Sequence, residues 1–483
     1  MSYVLGTDIG TGSVKAVAIA LNGRLLGSLQ EDYPSGPSTP GRNEQEPLLL
    51  FQTWLTAVRT LIERMGRPPD CISFSSSMHG IMAVDEKGEP LTPLITWSDL
   101  RAAGEASALR ALPAGEDIYN HTGTPIHAMS PLCKLVWLRR NEPELFQRTH
   151  RFIAIKEFIW HRLFGEFAVD QSIASATGLF DIETKNWYGP ALDYAGITPD
   201  RLSRPVPTGY LKKGCTPALA DQLRITGAVS FCIGASDGCL ASLGTDALSP
   251  GTAAVTIGTS GAVRLALDRP LRRWPAMPFS YILDEKIFIC GGPVNNGGNT
   301  VHWLLRRFCN GETDYDKLFA EAQSVAPGAE GLVFLPYLHG ERAPVWDEQS
   351  CGVYFGIGPQ HGRAHFIRAA LEGICFGLRQ VLELLEEEGA QVEELCVSGG
   401  FVRSRFWLQL LADTTRKSLR ITATADASAT GAAWLALEAL GHTIDKKQDE
   451  GKRVEPQAVD AYEKNFTIYS RLYPALKAVM HER

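Results

Sequence analysis

A chain of 483 residues is longer than one hydrophobic core usually serves, and 45% apolar content gives ample material for burial; two or more folded domains are expected and disorder is excluded. A formal charge of -7, spread over 21% charged residues without a long run of one sign, argues against a nucleic-acid or anionic-membrane surface, so an anionic ligand must be held locally. No basic stretch followed by an apolar one opens the chain, no apolar run nears the roughly 18 residues that span a bilayer, and the ten cysteines form no CxxC pair, which together point to a cytoplasmic protein with reduced, mostly buried thiols.

Residues 3 to 19, YVLGTDIGTGSVKAVAI, read as strand, glycine-rich turn and strand, because β-branched residues flank the turn and no helical period appears. Such a turn lets backbone N–H groups approach a phosphate, with Thr11, Gly12, Ser13 and Lys15 as the donors. Asp8 precedes it, and a carboxylate beside a phosphate loop is tolerable when a cation such as magnesium lies between the charges; the alternative is an ordinary turn aspartate. Over 47 to 65, Phe51, Leu55, Val58, Ile62 and Met65 follow the three-and-four spacing of a helix, with Pro47 in its first turn and Glu44 and Glu46 at its positive end.

A strand over 71 to 75 leads into SSSMHG at 75 to 80, and TWSDLRA follows at 96 to 102. Met78, His79, Trp97, Asp99 and Arg101 offer an aromatic plane, a carboxylate, a guanidinium and an imidazole, the mix a polyhydroxylated ligand needs. Taken singly, Trp97 suits a core, Asp99 with Arg101 a surface ion pair, and His79 a structural histidine. After a strand at 230 to 233, GASDG delivers Asp237 into a glycine-flanked turn, where it can accept the proton of an attacking hydroxyl or cap the next helix.

The opening pattern returns at 253 to 267, AAVTIGTSGAVRLAL, with Ile257, Gly258 and Thr259 standing where Ile9, Gly10 and Thr11 stood. A further strand is expected at 394 to 397, then Gly399 and Gly400, then directly a helix over 404 to 416, an order that can present N–H groups to a ligand. The repeat predicts two duplicated α/β domains, 1 to 245 and 246 to 483, divided near the turn-rich stretch 244 to 251.

Taken together these segments resemble the FGGY family of carbohydrate kinases, over nearly the whole chain. MSPLCKLVWLRRN at 129 to 141 is similar to the family's first signature and GVYFGIGPQHGRAHFIRAALEG at 352 to 373 to its second. The resemblance implies two actin-like, ribonuclease H-like domains with an interdomain ATP cleft, and transfer of phosphate from ATP, with Mg2+, to a sugar or polyol. It implies Asp237 as catalytic base, Asp8 and Asp237 as metal-linked, and Met78 and His79 as substrate contacts. It places Thr11, Gly258, Thr259, Gly298, Gly400, Phe401 and Ser404 at nucleotide positions. Lys15 stands where some members carry arginine, keeping the charge without the bidentate geometry. Glu341 and Arg342, in LPYLHGERAPVWD at 335 to 347, are expected to brace their loop.

Within the family, the stretches at 122 to 138, 156 to 167 and 170 to 182 are most similar to members acting on gluconate, with xylulose kinases as the alternative. A carboxylate substrate needs a cationic partner, for which His79, Arg101, His127 and Lys156 are candidates. The rival of another class is an actin-like or heat-shock-type ATPase without sugar transfer. The expected partners are a small sugar or sugar acid and ATP, without nucleic acid or membrane; a homodimer is compatible with the sequence.

Overall fold

Tyr3–Ile9 (β1) and Ser13–Ala20 (β2) pair antiparallel with Asp8 opposite Lys15, so the first glycine turn joins two adjacent strands as its flanking β-branched residues require. The computed structural model describes residues 2 to 34, 41 to 309, 311, 314 to 422, 426 to 444 and 451 to 482. The chain sorts into two compact units: Met1–Asp246 with Leu267–Ile289 and Thr424–Lys447, and Ala247–Ala266 with Cys290–Ala423 and Gln448–Arg483.

In the first unit β1 and β2 are joined by Leu25–Asp32 (β3), Cys71–Ser76 (β4), Leu211–Lys213 (β5) and Ser230–Ser236 (β6), in the sheet order β5-β6-β4-β1-β2-β3. β1, β4 and β6 run parallel, and their carboxyl ends are in step: Asp8 lies beside Ser75, and Ser75 beside Ala235. The helix read from periodicity runs over Pro47–Met65 with Pro47 in its first turn, and buries Phe51, Leu55, Val58 and Ile62 in the core of that sheet. Glu44 does not serve this helix; it pairs with Arg101. Trp54, on the buried side, stacks on Phe74 at 5.3 Å and donates its indole N–H to Thr7.

Between Cys232 and Ala235 the β6 pairing shifts register, at Gly234, whose φ is 73° and where a Cβ would stand 1.7 Å from the Phe74 carbonyl oxygen; only glycine fits. The strand therefore continues past Ile233 to Ser236, and Asp237 opens the helix Asp237–Gly244 instead of lying in an open turn.

In the second unit Thr252–Ile257 (β7) and Gly261–Leu267 (β8) form the second hairpin, followed by Phe288–Val294 (β9), Glu394–Ser398 (β10), Ser418–Ile421 (β11) and Arg453–Val454 (β12) in the order β9-β8-β7-β10-β11-β12. The duplication holds at the level of pairing: β1 is antiparallel to β2 and parallel to β4, and β7 is antiparallel to β8 and parallel to β10. Each turn closes through its first glycine's N–H, onto Ser13 O three residues on at 3.0 Å in the first and onto Ser260 O two residues on at 2.8 Å in the second. Past β10 a 3-10 turn, Gly400–Arg403, comes before the helix Arg405–Thr415, so the expected direct passage from glycine pair to helix does not occur. All ten cysteines are reduced, and all but Cys215 and Cys351 are buried. Among the described residues no helix is long and apolar enough to cross a membrane.

Candidate active site

The in-step ends of β1, β4 and β6 bring Asp8, the 75 to 80 loop and Asp237 to one edge of the first unit's sheet, the edge where parallel α/β sheets receive ligands. Asp8 is half-buried and accepts a hydrogen bond from Ser75 Oγ at 2.7 Å. Burial pushes its carboxyl above the ordinary aspartate range; Ser75 and Lys15 pull it back in part, while Asp426 adds like-charge repulsion. Lys15 pairs with Asp426 at 3.4 Å. Asp237 is half-buried, its Oδ1 accepts from Gly238 N at 2.8 Å, and its carbonyl accepts from Ser428 Oγ at 3.1 Å. It sits in the helix's first turn, with Ser236 at the cap position.

Behind Asp237 lies a buried polar frame. The Lys156 ammonium meets Asp170 Oδ2 at 2.7 Å and donates to Ala235 O at 2.8 Å, while Ser172 Oγ accepts from Ser236 N and lies 3.0 Å from Ser236 Oγ. Lys156 is thus neutralised inside the fold and is no candidate for a substrate carboxylate.

The 75 to 80 and 96 to 102 segments both reach the first hairpin. Trp97 is half-buried, and its indole N–H donates to Thr11 Oγ1 at 3.0 Å; Gln45 holds the Thr11 carbonyl at 2.8 Å. Asp99 and Arg101 are an ion pair, buried where the sequence suggested a surface one: Arg101 Nε and Nη2 reach the carboxylate at 2.8 and 2.7 Å, and Nη2 also reaches Glu44. Burial alone would raise the Asp99 carboxyl, but the hydrogen bonds from Arg101 and Asn43 outweigh it and hold it below the usual range. His79 lies in the left-handed region at φ 66°. Its Nδ1 is 2.7 Å from Ala176 O, which can only accept, so the neutral ring leaves Nε2 to accept from the Tyr281 hydroxyl at 3.3 Å. Met78 packs against the small core around Phe180 and Ile282, and His127 accepts from Met129 N.

In the second unit, Gly258, Thr259, Gly298, Gly400, Phe401 and Ser404 line one cavity of about 400 Å³, joined by Tyr315, Phe319 and Trp407. A Cβ at Gly298 would stand 2.7 Å from Gly258 O, so glycine there lets the start of the helix Gly298–Phe308 close onto the turn. A Cβ at Gly258 or Gly400 would meet no tight contact, so the backbone there borders open space, while the Gly258 N–H itself is taken by Ser260 O. Phe319 and Phe401 each lie 5.7 Å from Trp407, an aromatic wall suited to a flat base. Ser404 also caps the next helix, accepting from Trp407 N. Glu341 is buried and accepts from Asn295 N, Arg342 N and Asn296 Nδ2, so it braces its loop.

Sequence reasoning missed Asp426, Ser428, Gln45, Tyr281 and the wall residues Tyr315 and Phe319. Asp426 and Ser428 stand in a run of small residues without a motif of their own, and the aromatic wall gathers only through tertiary packing.

A two-unit fold with duplicated glycine hairpins, one beside a carboxylate-bearing sheet edge and one lining an aromatic-walled cavity, is that of a phosphotransferase. The model of the FGGY family of carbohydrate kinases matches in both parts, its N-terminal domain over residues 3–244 and its C-terminal domain over 253–440. The chain belongs to this family, and the actin-like or heat-shock-type ATPase alternative is set aside. It is 41% identical to the gluconokinase of Bacillus subtilis over 91% of this chain and 88% of the relative. It is 29% identical to a xylulose kinase of Staphylococcus epidermidis over 98% and 97%. Among solved structures, a gluconate kinase from Lactobacillus acidophilus superposes with a TM-score of 0.95 at 30% identity, covering 100% of this chain and 99% of that one. A ligand-bound xylulose kinase from the same organism reaches 0.95 at 31%, covering 100% of both. Kinases of this family use ATP and act on sugars.

Proposed function

We propose that this kinase phosphorylates D-gluconate to 6-phosphogluconate with ATP and Mg2+. The observation that carries the substrate is the gap between 41% identity to a gluconokinase and 29% to a xylulose kinase. The fold does not discriminate, since gluconate and xylulose kinase structures match equally well. That equality is what keeps D-xylulose as the second reading.

The sugar-side group is Met78, His79, Trp97, Asp99 and Arg101, with Asp99 and Arg101 holding each other in place. Thr11, Gly12, Ser13 and Lys15 are assigned to phosphate, and Gly258, Thr259, Gly298, Gly400, Phe401 and Ser404 to the nucleotide. The division of labour expected from the sequence, 1 to 245 for sugar and first phosphate turn and 246 to 483 for nucleotide, is kept with one change: 267 to 289 and 424 to 447 go with the sugar side. Asp237 takes the proton of the acceptor hydroxyl as the new oxygen–phosphorus bond forms and the bond to the leaving ADP breaks. It lies in a helix's first turn, at the positive end of the helix dipole.

The residues fit a magnesium ion. Asp8 is a carboxylate raised by burial and by a like-charged neighbour, which a hard cation would relieve. Among the described residues no three His, Cys, Asp or Glu side chains gather to hold a metal alone, as suits an ion bound through one or two carboxylates and substrate phosphates. Asp8 and Asp237 would hold it, and its charge would offset that of the phosphates. The reaction belongs in the cytosol, where ATP is available.

The test compares kcat/KM for D-gluconate and D-xylulose at fixed ATP and magnesium, with the product identified by mass spectrometry. Gluconate is expected to lead, in line with the higher identity to a gluconokinase than to a xylulose kinase. Xylulose preferred by about tenfold or more would remove the gluconate reading and leave the kinase intact.

A further inference from the structure

Lys134 is an ammonium with no exposure at all, and none of the ion pairs among the described residues includes it. It projects from the helix Pro131–Asn141, and its three N–H bonds go to backbone carbonyls: His79 O at 2.7 Å, Thr96 O at 2.8 Å and Ile95 O at 3.5 Å. The nearby carboxylate, Asp99, is already engaged by Arg101. A buried cation without a counter-ion is expensive, and an apolar side chain of the same length would fill the space without that cost. What the charge does here is therefore read from what it holds. His79 and Thr96 belong to the two loops carrying Met78, His79, Trp97 and Asp99, and one ammonium ties both. The backbone pair Ile81–Ile95 already joins the loops at their base, but His79 itself sits at a positive φ that no strand pairing fixes.

We infer that Lys134 is the positioning residue of the acceptor site: by binding the His79 and Thr96 carbonyls it sets the spacing between the two sugar-side loops, and so governs sugar binding and not nucleotide binding. The inference rests on those loops being the sugar site, as proposed above. It also predicts a pH response. Burial, the largest influence, favours the neutral amine and brings the Lys134 pKa down to about 7; Asp99 raises it and Arg101 lowers it further. Below that value three donors and a full charge serve the carbonyls. As pH rises through it, one donor and the charge are lost and the clamp weakens. The titratable or charged groups facing it are Asp99 and Arg101 on the 96 to 102 loop, His79 on the 75 to 80 loop and Cys133 on its own helix.

The experiment measures KM for D-gluconate and for ATP in the parent enzyme and in Lys134→Met, from about pH 6 to about pH 9. In Lys134→Met the gluconate KM should rise by about tenfold or more at the low end while the ATP KM stays within about twofold. In the parent the gluconate KM should climb across the range, with a flat ATP KM, and in Lys134→Met that climb should be absent. Equal shifts in both KM values, or a gluconate KM within about twofold of the parent, would show a merely structural lysine. A climb that persists in Lys134→Met would assign it to another group, such as His79, and overturn the inference. Should Lys134→Met fail to fold, the parent profile decides, since a gluconate KM unchanged over that range is incompatible with the clamp. If the parent phosphorylates D-xylulose and not D-gluconate, the gluconate reading fails alone, and the same comparison is made with D-xylulose.

Discussion

Asp237 is the proposed proton acceptor, and its surroundings separate that role from its part in the fold. Its carbonyl is held by Ser428, and the strand before it is pinned by Lys156 and Ser172 through Ala235 and Ser236; none of these contacts needs the carboxylate. Asp237→Asn should therefore keep the local geometry and nucleotide binding while removing the proton acceptor. The expected loss in kcat is about 10² to 10⁴-fold, the range for a general base, with ATP affinity measured by calorimetry without magnesium within about twofold of the parent. Turnover within about threefold of the parent in a folded variant would take Asp237 out of the reaction. All four cationic candidates for a substrate carboxylate already have partners. Arg101 and Lys156 are tied to internal carboxylates, and His79 and His127 are engaged with backbone groups, so a substrate carboxylate would have to compete with existing partners.

At the scale of elements, the helix Ala427–Ala439 shows packing overriding propensity. It lies so close to its neighbours that glycine is required on both sides: a Cβ at Gly431 would stand 2.0 Å from Leu240 O, and one at Gly6 on β1 1.9 Å from Ala429 O. Helix propensity alone favours Gly431→Ala by about 1 kcal/mol. Overpacking against a backbone oxygen costs about 1 to 3 kcal/mol or more and should win. Gly431→Ala is thus expected to lower Tm by several degrees, about 2 to 4 °C per kcal/mol for a domain of this size; an unchanged or raised Tm by calorimetry would refute the close-packed helix. This element was also the hardest to read. From Ala429 to Leu437 every residue is buried, so no polar face marks its period, whereas Pro47–Met65 announced itself by one apolar stripe and a leading proline. The hairpins were legible because turn glycines and β-branched flanks are local signals. The extension of β6 to Ser236 was not, because it depends on a bulge at Gly234 that only the neighbouring strand explains.

For the whole molecule, sequence order and spatial grouping part company. Thr424–Lys447 and Leu267–Ile289 belong to the first unit although both follow Asp246 in the chain, and nothing in a local pattern announces such a return. The consequence can be tested on a fragment. Residues 1 to 246 alone lack the helix Ala427–Ala439, which packs on β1 and on the helix Asp237–Gly244 and supplies Ser428 to the Asp237 backbone. They also lose Tyr281 beside His79 and the Leu283 carbonyl that accepts from Thr208. Stripping an apolar helix from a sheet uncovers a continuous patch of the kind that drives association, and the folded state has only about 5 to 15 kcal/mol to lose. The fragment 1 to 246 should therefore aggregate or unfold without a cooperative transition, and adding residues 267 to 289 and 424 to 447 through flexible linkers should restore one. A soluble 1 to 246 fragment melting as sharply as the extended version would mean that the first unit is complete without the later segments, and that the glycine-lined contact with Ala427–Ala439 contributes little to its stability.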